Sequence, residues 1–185
     1  MAFKFVLTYD GELQTGSKLD QRRRVREQLA PQLAELWTYR PLADLRKYAL
    51  DPLGSQSFIQ DVGGVSFACA IHNALHLRAE LDVLVLSREA NHVKAMSRGD
   101  VDNRLKSLLD GLRRPQQPQE LGGITPPTNG DPFHCLLDDD ALVSRVSINT
   151  GRLLGPQENP SASRVLITVT VETAAPTYAS ALLGI

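Results

Sequence analysis

Two acidic stretches hold most of this chain's potential for chemistry. The first is Gly99-Asp100-Val101-Asp102-Asn103-Arg104-Leu105-Lys106, with Asp110 one turn further on; the second is Asp138-Asp139-Asp140. Hard divalent cations such as Mg²⁺ select carboxylate oxygens. Two carboxylates spaced two apart at a helix start, joined by a third from a strand end, could cage such an ion, which activates a water and neutralises phosphoryl oxygens. Lys106, one turn after Asp102, can direct an ammonium to the same place. A plainer account weighs against this. Acidic residues at a helix start cap free N–H groups and suit the macrodipole, each worth roughly 0.5–1 kcal/mol. Lys106 would then be an i, i+4 partner of Asp102 and Asp110, worth roughly 0.2–0.5 kcal/mol. Capping does not explain the second stretch, where three adjacent carboxylates repel one another unless a cation or solvent relieves them.

The element that must position the first stretch is a helix over 99–112. Val101, Leu105, Leu108, Leu109 and Leu112 fall on one face, as helical periodicity requires. Asp102, Lys106 and Asp110 form a second stripe along its edge. Gly111 lies near its end and Pro115 resists continuation. Asn103 fits a residue that fixes the turn, and Asp110 one that either holds Lys106 or faces solvent. In the second stretch, Asp140 and Asp139 lead into the apolar run Ala141-Leu142-Val143, and Asp138 is the spectator.

This order of residues resembles the RusA family of Holliday junction resolvases and RusA-like endodeoxyribonucleases. The family pattern is Asp-x-Asp-Asn, a Lys four residues after the second Asp, an Asp four after that, then an Asp pair before a hydrophobic strand. Its counterparts here are Asp100, Asp102, Asn103, Lys106 and Asp110, followed by Asp139-Asp140-Ala141-Leu142-Val143. The match is closest over 99–112 and 137–143. It implies a mixed β-sheet packed by helices, and a homodimer that cuts branched or four-way-junction DNA in recombination and repair. Asp100, Asp102 and Asp139 or Asp140 would bind Mg²⁺, with Mn²⁺ as a substitute, and Lys106 would be catalytic. Two departures stand out. The family commonly has a Pro-Pro-Ser-x-Asn segment after its first strand, where Tyr9-Asp10-Gly11-Glu12-Leu13 stands here, and its link between helix and acidic strand is much shorter.

Composition sets outer limits. The chain has 185 residues, 42% of them apolar, and a net charge of −1, which suits a single globular domain over 1–185. Nucleic-acid domains are commonly basic, so DNA contact must come from local clusters. Arg22, Arg23 and Arg24, with Arg104, are the candidates; Arg26 adjoins them, and Arg113 and Arg114 close the central helix. For each cluster a solvated helix face is the bland alternative. Two cysteines, Cys69 and Cys135, form neither a disulfide framework nor a zinc spacing. No run of apolar residues is long enough to span a membrane and the opening residues lack a signal-peptide pattern, so a cytoplasmic protein with reduced thiols is expected.

The remaining elements follow from periodicity. Residues 3–9 alternate as a strand. Residues 18–37 carry Val25, Leu29, Leu33 and Leu36 at helical spacing, with Pro31 expected to kink or divide the run. A short helix is expected over 42–50. Residues 65–71 and 75–86 read as two strands pairing as a hairpin, the second of them central. Residues 114–135, rich in Pro and Gly, read as a mobile loop inserted beside the presumed site. Strands follow over 141–149 and 164–172, and the tail after 173 is expected to be loosely held. His72 and His76 stand four apart, a metal spacing on a helix, but their surroundings read as strands around a turn. The order implies an α+β fold. The functional expectation is a Mg²⁺-dependent endodeoxyribonuclease of the crossover-junction type. The alternatives are a non-catalytic DNA-binding or scaffold protein with a structural metal site, or a metal-dependent nucleotide phosphohydrolase.

Overall fold

The computed structural model describes residues 3–13, 19–51, 57–88, 106–155 and 163–173. Asp100, Asp102, Asn103 and Arg104 lie outside the described residues, as does the segment after 173. The fold is α+β. Strand β1 (Phe3–Gly11) is followed by helices α1 (Leu19–Leu36) and α2 (Leu42–Ala49), then β2 (Gln60–Val62), β3 (Val65–Ile71) and β4 (Leu77–Ser87). Helix α3 is described from 106 to 112. Strands β5 (Phe133–Leu137), β6 (Val143–Arg152) and β7 (Ser163–Thr173) complete the fold.

The strands form two sheets rather than the single mixed sheet expected. One has the order β1-β7-β4-β6 and the other β2-β3-β5. In the larger sheet β7 runs antiparallel to both neighbours and β6 runs parallel to β4. In the smaller, β3 is antiparallel to β2 and parallel to β5. The two-residue periodicity of β4 and β7 explains how the larger sheet seats itself. Leu77, Ala79, Leu81 and Val83 are buried with Val165, Ile167, Val169 and Val171, while Arg78 and Arg164 face out. Each such aliphatic side chain contributes roughly 1.5–3 kcal/mol on burial. Val25, Leu29 and Leu33 of α1, Leu42 and Leu45 of α2, and Leu108 and Leu112 of α3 join them in one core. A second cluster, including Phe67, Cys69, Ile124, Phe133 and Cys135, lies on the smaller sheet.

Four sequence expectations are corrected by this arrangement. The strands at 65–71 and 75–86 do not form a hairpin. Between them a short 3₁₀ turn, Asn73–Leu75, ends on His76 at a left-handed φ of 51°. That turn carries the chain from one sheet into the other instead of doubling it back. Pro31 does not divide α1, which is one helix throughout. Glu27 and Pro31 both lie on its exposed side, where water can serve the carbonyl that proline leaves without a donor. The end of the supposed loop is a strand, since all five residues of β5 are buried. The rest of 114–135 is held in place: Ile124 is 5% exposed in the second core and Leu121 packs beside it.

α3 seats closely on α1. A Cβ at Gly111 would stand 2.7 Å from Val25 Cγ1, so glycine here serves close approach rather than backbone freedom.

Candidate functional site

α3, the chain that follows it and the end of β5 meet at one edge of the smaller sheet. Arg113 forms a parallel bridge with Leu137, and the Arg114 N–H donates to the Leu137 carbonyl at 2.9 Å. Asp138, Asp139 and Asp140 therefore begin beside the C-terminal end of α3. Asp138 also follows the β3 end, its N–H donating to the Ile71 carbonyl at 3.0 Å.

The carboxylates at this edge have different partners. Asp138 Oδ1 accepts from Arg114 Nε at 2.6 Å, and Oδ2 lies 3.5 Å from His72 Nε2. His72 Nδ1 accepts the Ala74 N–H at 3.1 Å and Phe58 stacks on the ring at 4.9 Å. With Nδ1 accepting, the proton belongs on Nε2, facing the carboxylate. Burial lowers the His72 pKa, against the opposing pull of Asp138, so the ring is neutral at pH 7. Both its nitrogens are engaged, which makes His72 a clamp on Asp138 rather than a base. Asp139 Oδ1 accepts the Ala141 N–H at 2.8 Å, capping the turn Asp140–Leu142. Asp139 is half-buried and Asp140 is exposed.

Asp110 neither pairs with Lys106 nor faces solvent. It is 7% exposed, with Oδ2 at 2.6 Å from Arg22 Nη2 and Oδ1 at 3.6 Å from Arg113 Nε. Arg113 also binds the Glu120 carboxylate at 2.9 Å. Burial pushes Glu120 up, but the hydrogen bonds from Arg113 and the Gln116 N–H outweigh it and leave the carboxyl below its usual range. Arg26, 1% exposed, donates from Nε to the Arg113 carbonyl at 3.0 Å, from Nη1 to Glu120 O at 3.0 Å and from Nη2 to Asp110 O at 2.7 Å. Burial lowers its pKa, yet a guanidinium stays charged. It thus meets the negative end of α3 and fastens the 115–124 segment.

The predicted basic cluster is accordingly divided. Arg22, expected at a DNA-facing surface, turns inward to Asp110 with its side chain 15% exposed. Arg23 stands 3.7 Å from Asp20 and 3.9 Å from Glu27. Arg24 is exposed, as is Lys106 on α3. Sequence reasoning offered no sign of Glu120, placed Arg26 only as a neighbour of the basic cluster, and took His72 only as half of a metal spacing with His76. A lone Arg within an arginine run carries no sign of which member is buried, and the contacts of Glu120 cross from an apparent loop.

Among the described residues, no group of three or more His, Cys, Asp or Glu side chains stands ready to hold a metal. None of their helices is long and apolar enough to cross a membrane. No protein-family model, curated protein or solved structure matches the chain.

Proposed function

We propose that the chain is a Mg²⁺-dependent endodeoxyribonuclease of the RusA type, cutting phosphodiester bonds in branched DNA. In this reading it acts as a cytoplasmic homodimer in recombination and repair, because paired nicks in a four-way junction call for two sites about a twofold axis. One observation carries it: Asp100, Asp102, Asn103, Lys106 and Asp110 in the order and spacing of a single helix, followed by Asp139-Asp140 before an apolar strand. The bridge of Arg113 to Leu137 supports it by setting the chain after α3 against the approach to Asp139.

Mg²⁺ or Mn²⁺, when bound, supplies Lewis acidity and lowers the pKa of an attacking water. The carboxylates of half-buried Asp139 and exposed Asp140 have the chemistry such an ion selects. Asp100 and Asp102 would complete its donors. Lys106, exposed on α3, would steady negative charge on the phosphoryl oxygens. Arg22 and Asp110 would act at one remove, keeping α3 seated on α1.

A second reading draws on the arginines. Arg22, Arg26, Arg113 and Arg114 face internal partners, and the net charge is −1. A nucleotide phosphohydrolase needs fewer phosphate contacts than a DNA-binding enzyme. The pure protein should therefore be incubated with labelled four-way, duplex and single-stranded DNA and with nucleoside triphosphates, each with Mg²⁺, Mn²⁺ or chelator. Metal-dependent nicking of the four-way substrate is the expected result. Hydrolysis of nucleotides alone would favour the second reading, and no cleavage of any substrate would overturn both.

A further inference from the structure

Among the described residues, the outer edge of β1 is closed along one half and open along the other. β1 pairs with β7 in unbroken register from Phe3↔Val171 to Gly11↔Ser163 and is the outermost strand of its sheet. Alternate residues of such a strand point both backbone groups away from the neighbour. At Thr8 and Asp10 these groups meet side-chain amides from α1. The Thr8 N–H donates to Gln32 Oε1 at 2.9 Å and Gln32 Nε2 donates to Thr8 O at 2.8 Å. Gln28 repeats the pattern at Asp10, with distances of 3.1 and 2.9 Å. The two glutamines, one helical turn apart, imitate a paired strand.

The next residue on that stripe is Leu36, 8% exposed, which has no amide to offer. The N–H and C=O groups of Lys4 and Val6 share the outward parity of Thr8 and Asp10. They meet no such side chain among the described residues. Val6 is 51% exposed and Tyr39 57%. Beside this open half runs a groove of about 500 Å³, lined by Phe3, Phe5, Leu36, Tyr39 and Arg40 among others. On its charged rim Glu35 accepts the Tyr39 hydroxyl at 3.1 Å and Arg40 Nε stands 3.5 Å from Asp44 Oδ1, while Lys4 is exposed at the open edge.

We propose that this open half of β1 is a docking site for an extended segment of a partner protein, apolar at alternate positions and acidic between them. The segment would continue the larger sheet, taking its ladder from Lys4 and Val6. Its apolar side chains would cover Phe5 and Leu36, and an acidic one would answer Lys4. Edges left bare are otherwise a hazard that folds close off, as this one does at Thr8 and Asp10. The proposal rests on the β1 edge and does not depend on the nuclease reading.

The test is fluorescence anisotropy with a labelled peptide of alternating Glu and Val, against the wild type, Val6→Thr and Val6→Pro. Proline at position 6 removes an N–H that points away from β7, a place where edge strands tolerate it. The expected result is saturable binding to wild type and Val6→Thr, weakened about tenfold or more in Val6→Pro through loss of one ladder bond and the space it needs. The melting temperature of Val6→Pro should stay close to the wild type. Hydrogen exchange with peptide present should slow at Lys4 and Val6 and not at Thr8 or Asp10. Absence of binding to folded wild type, or equal binding to folded Val6→Pro, would overturn the proposal. A wild-type dimer in sedimentation that Val6→Pro dissolves would overturn it too, assigning the edge to a second copy of this chain. If Val6→Pro unfolds, the exchange pattern at Lys4 and Val6 in the wild type decides.

Discussion

Arg22 Nη2 stands 2.6 Å from Asp110 Oδ2, joining α1 to α3 through a pair whose side chains are 15% and 9% exposed. Arg22 thereby becomes part of the packing between the two helices. Arg113 Nε, at 3.6 Å from Asp110 Oδ1, shares the same carboxylate, so Asp110 serves two nearly buried guanidinium groups at once.

Asp110→Leu should destabilise the protein by about 2 kcal/mol, the range of hydrogen bonds to a charged group. Arg22→Met combined with Asp110→Leu should recover most of that loss. Urea unfolding of the two single variants and the double variant measures the coupling. Additive losses would show that the pair makes no joint contribution.

Arg26→Ala leaves the carbonyls of Asp110, Arg113 and Glu120 without their donor, at a cost of about 3 kcal/mol or more for hydrogen bonds from a buried charge. Arg26→Lys should rescue little, because an ammonium lacks the planar fork that reaches three carbonyls. Limited proteolysis should then cut faster within 115–124, the segment that Arg26 fastens.

Stability should fall with acid because of His134. Burial lowers its pKa to about 4, with Asp131 opposing and Arg46 adding to the shift. The unfolded chain, with an ordinary His pKa near 6.5, binds the proton first. The contribution is therefore complete above about pH 6.5 and is lost as pH falls towards 4, an effect of up to about 3 kcal/mol. His72 acts with the same sign, its pKa also lowered by burial. Chemical denaturation across this range should give a shallower pH dependence for His134→Gln than for the wild type.

Lys106→Ala tests the proposed chemistry separately from folding. Lys106 is exposed, so the melting temperature should hardly move. If its ammonium stabilises charge that develops in the transition state, single-turnover cleavage should slow about 10²–10³-fold. Lys106→Arg should rescue only in part. Cleavage by Lys106→Ala at the wild-type rate would remove Lys106 from the mechanism.

Much was legible in the sequence because it depended on local periodicity. Val25, Leu29 and Leu33 mark the buried face of α1 whatever it packs against, and the alternation of β7 declares one inward face. The acidic spacing of 99–110 and 138–140 was equally plain, since it needs only residue order. What periodicity does not encode is which strand lies beside which. β3 joined β5 across more than sixty residues, with Cys69 opposite Cys135, because a left-handed His76 turned the next strand away. Tertiary packing likewise chose which charges sit inside. Arg22, Arg23, Arg24 and Arg26 are alike as letters. Their places around α1 put Arg26 against three carbonyls and Arg22 against Asp110, and leave Arg24 in solvent. A buried guanidinium is stable only where acceptors from distant segments converge on it, and that convergence exists only once the chain has folded.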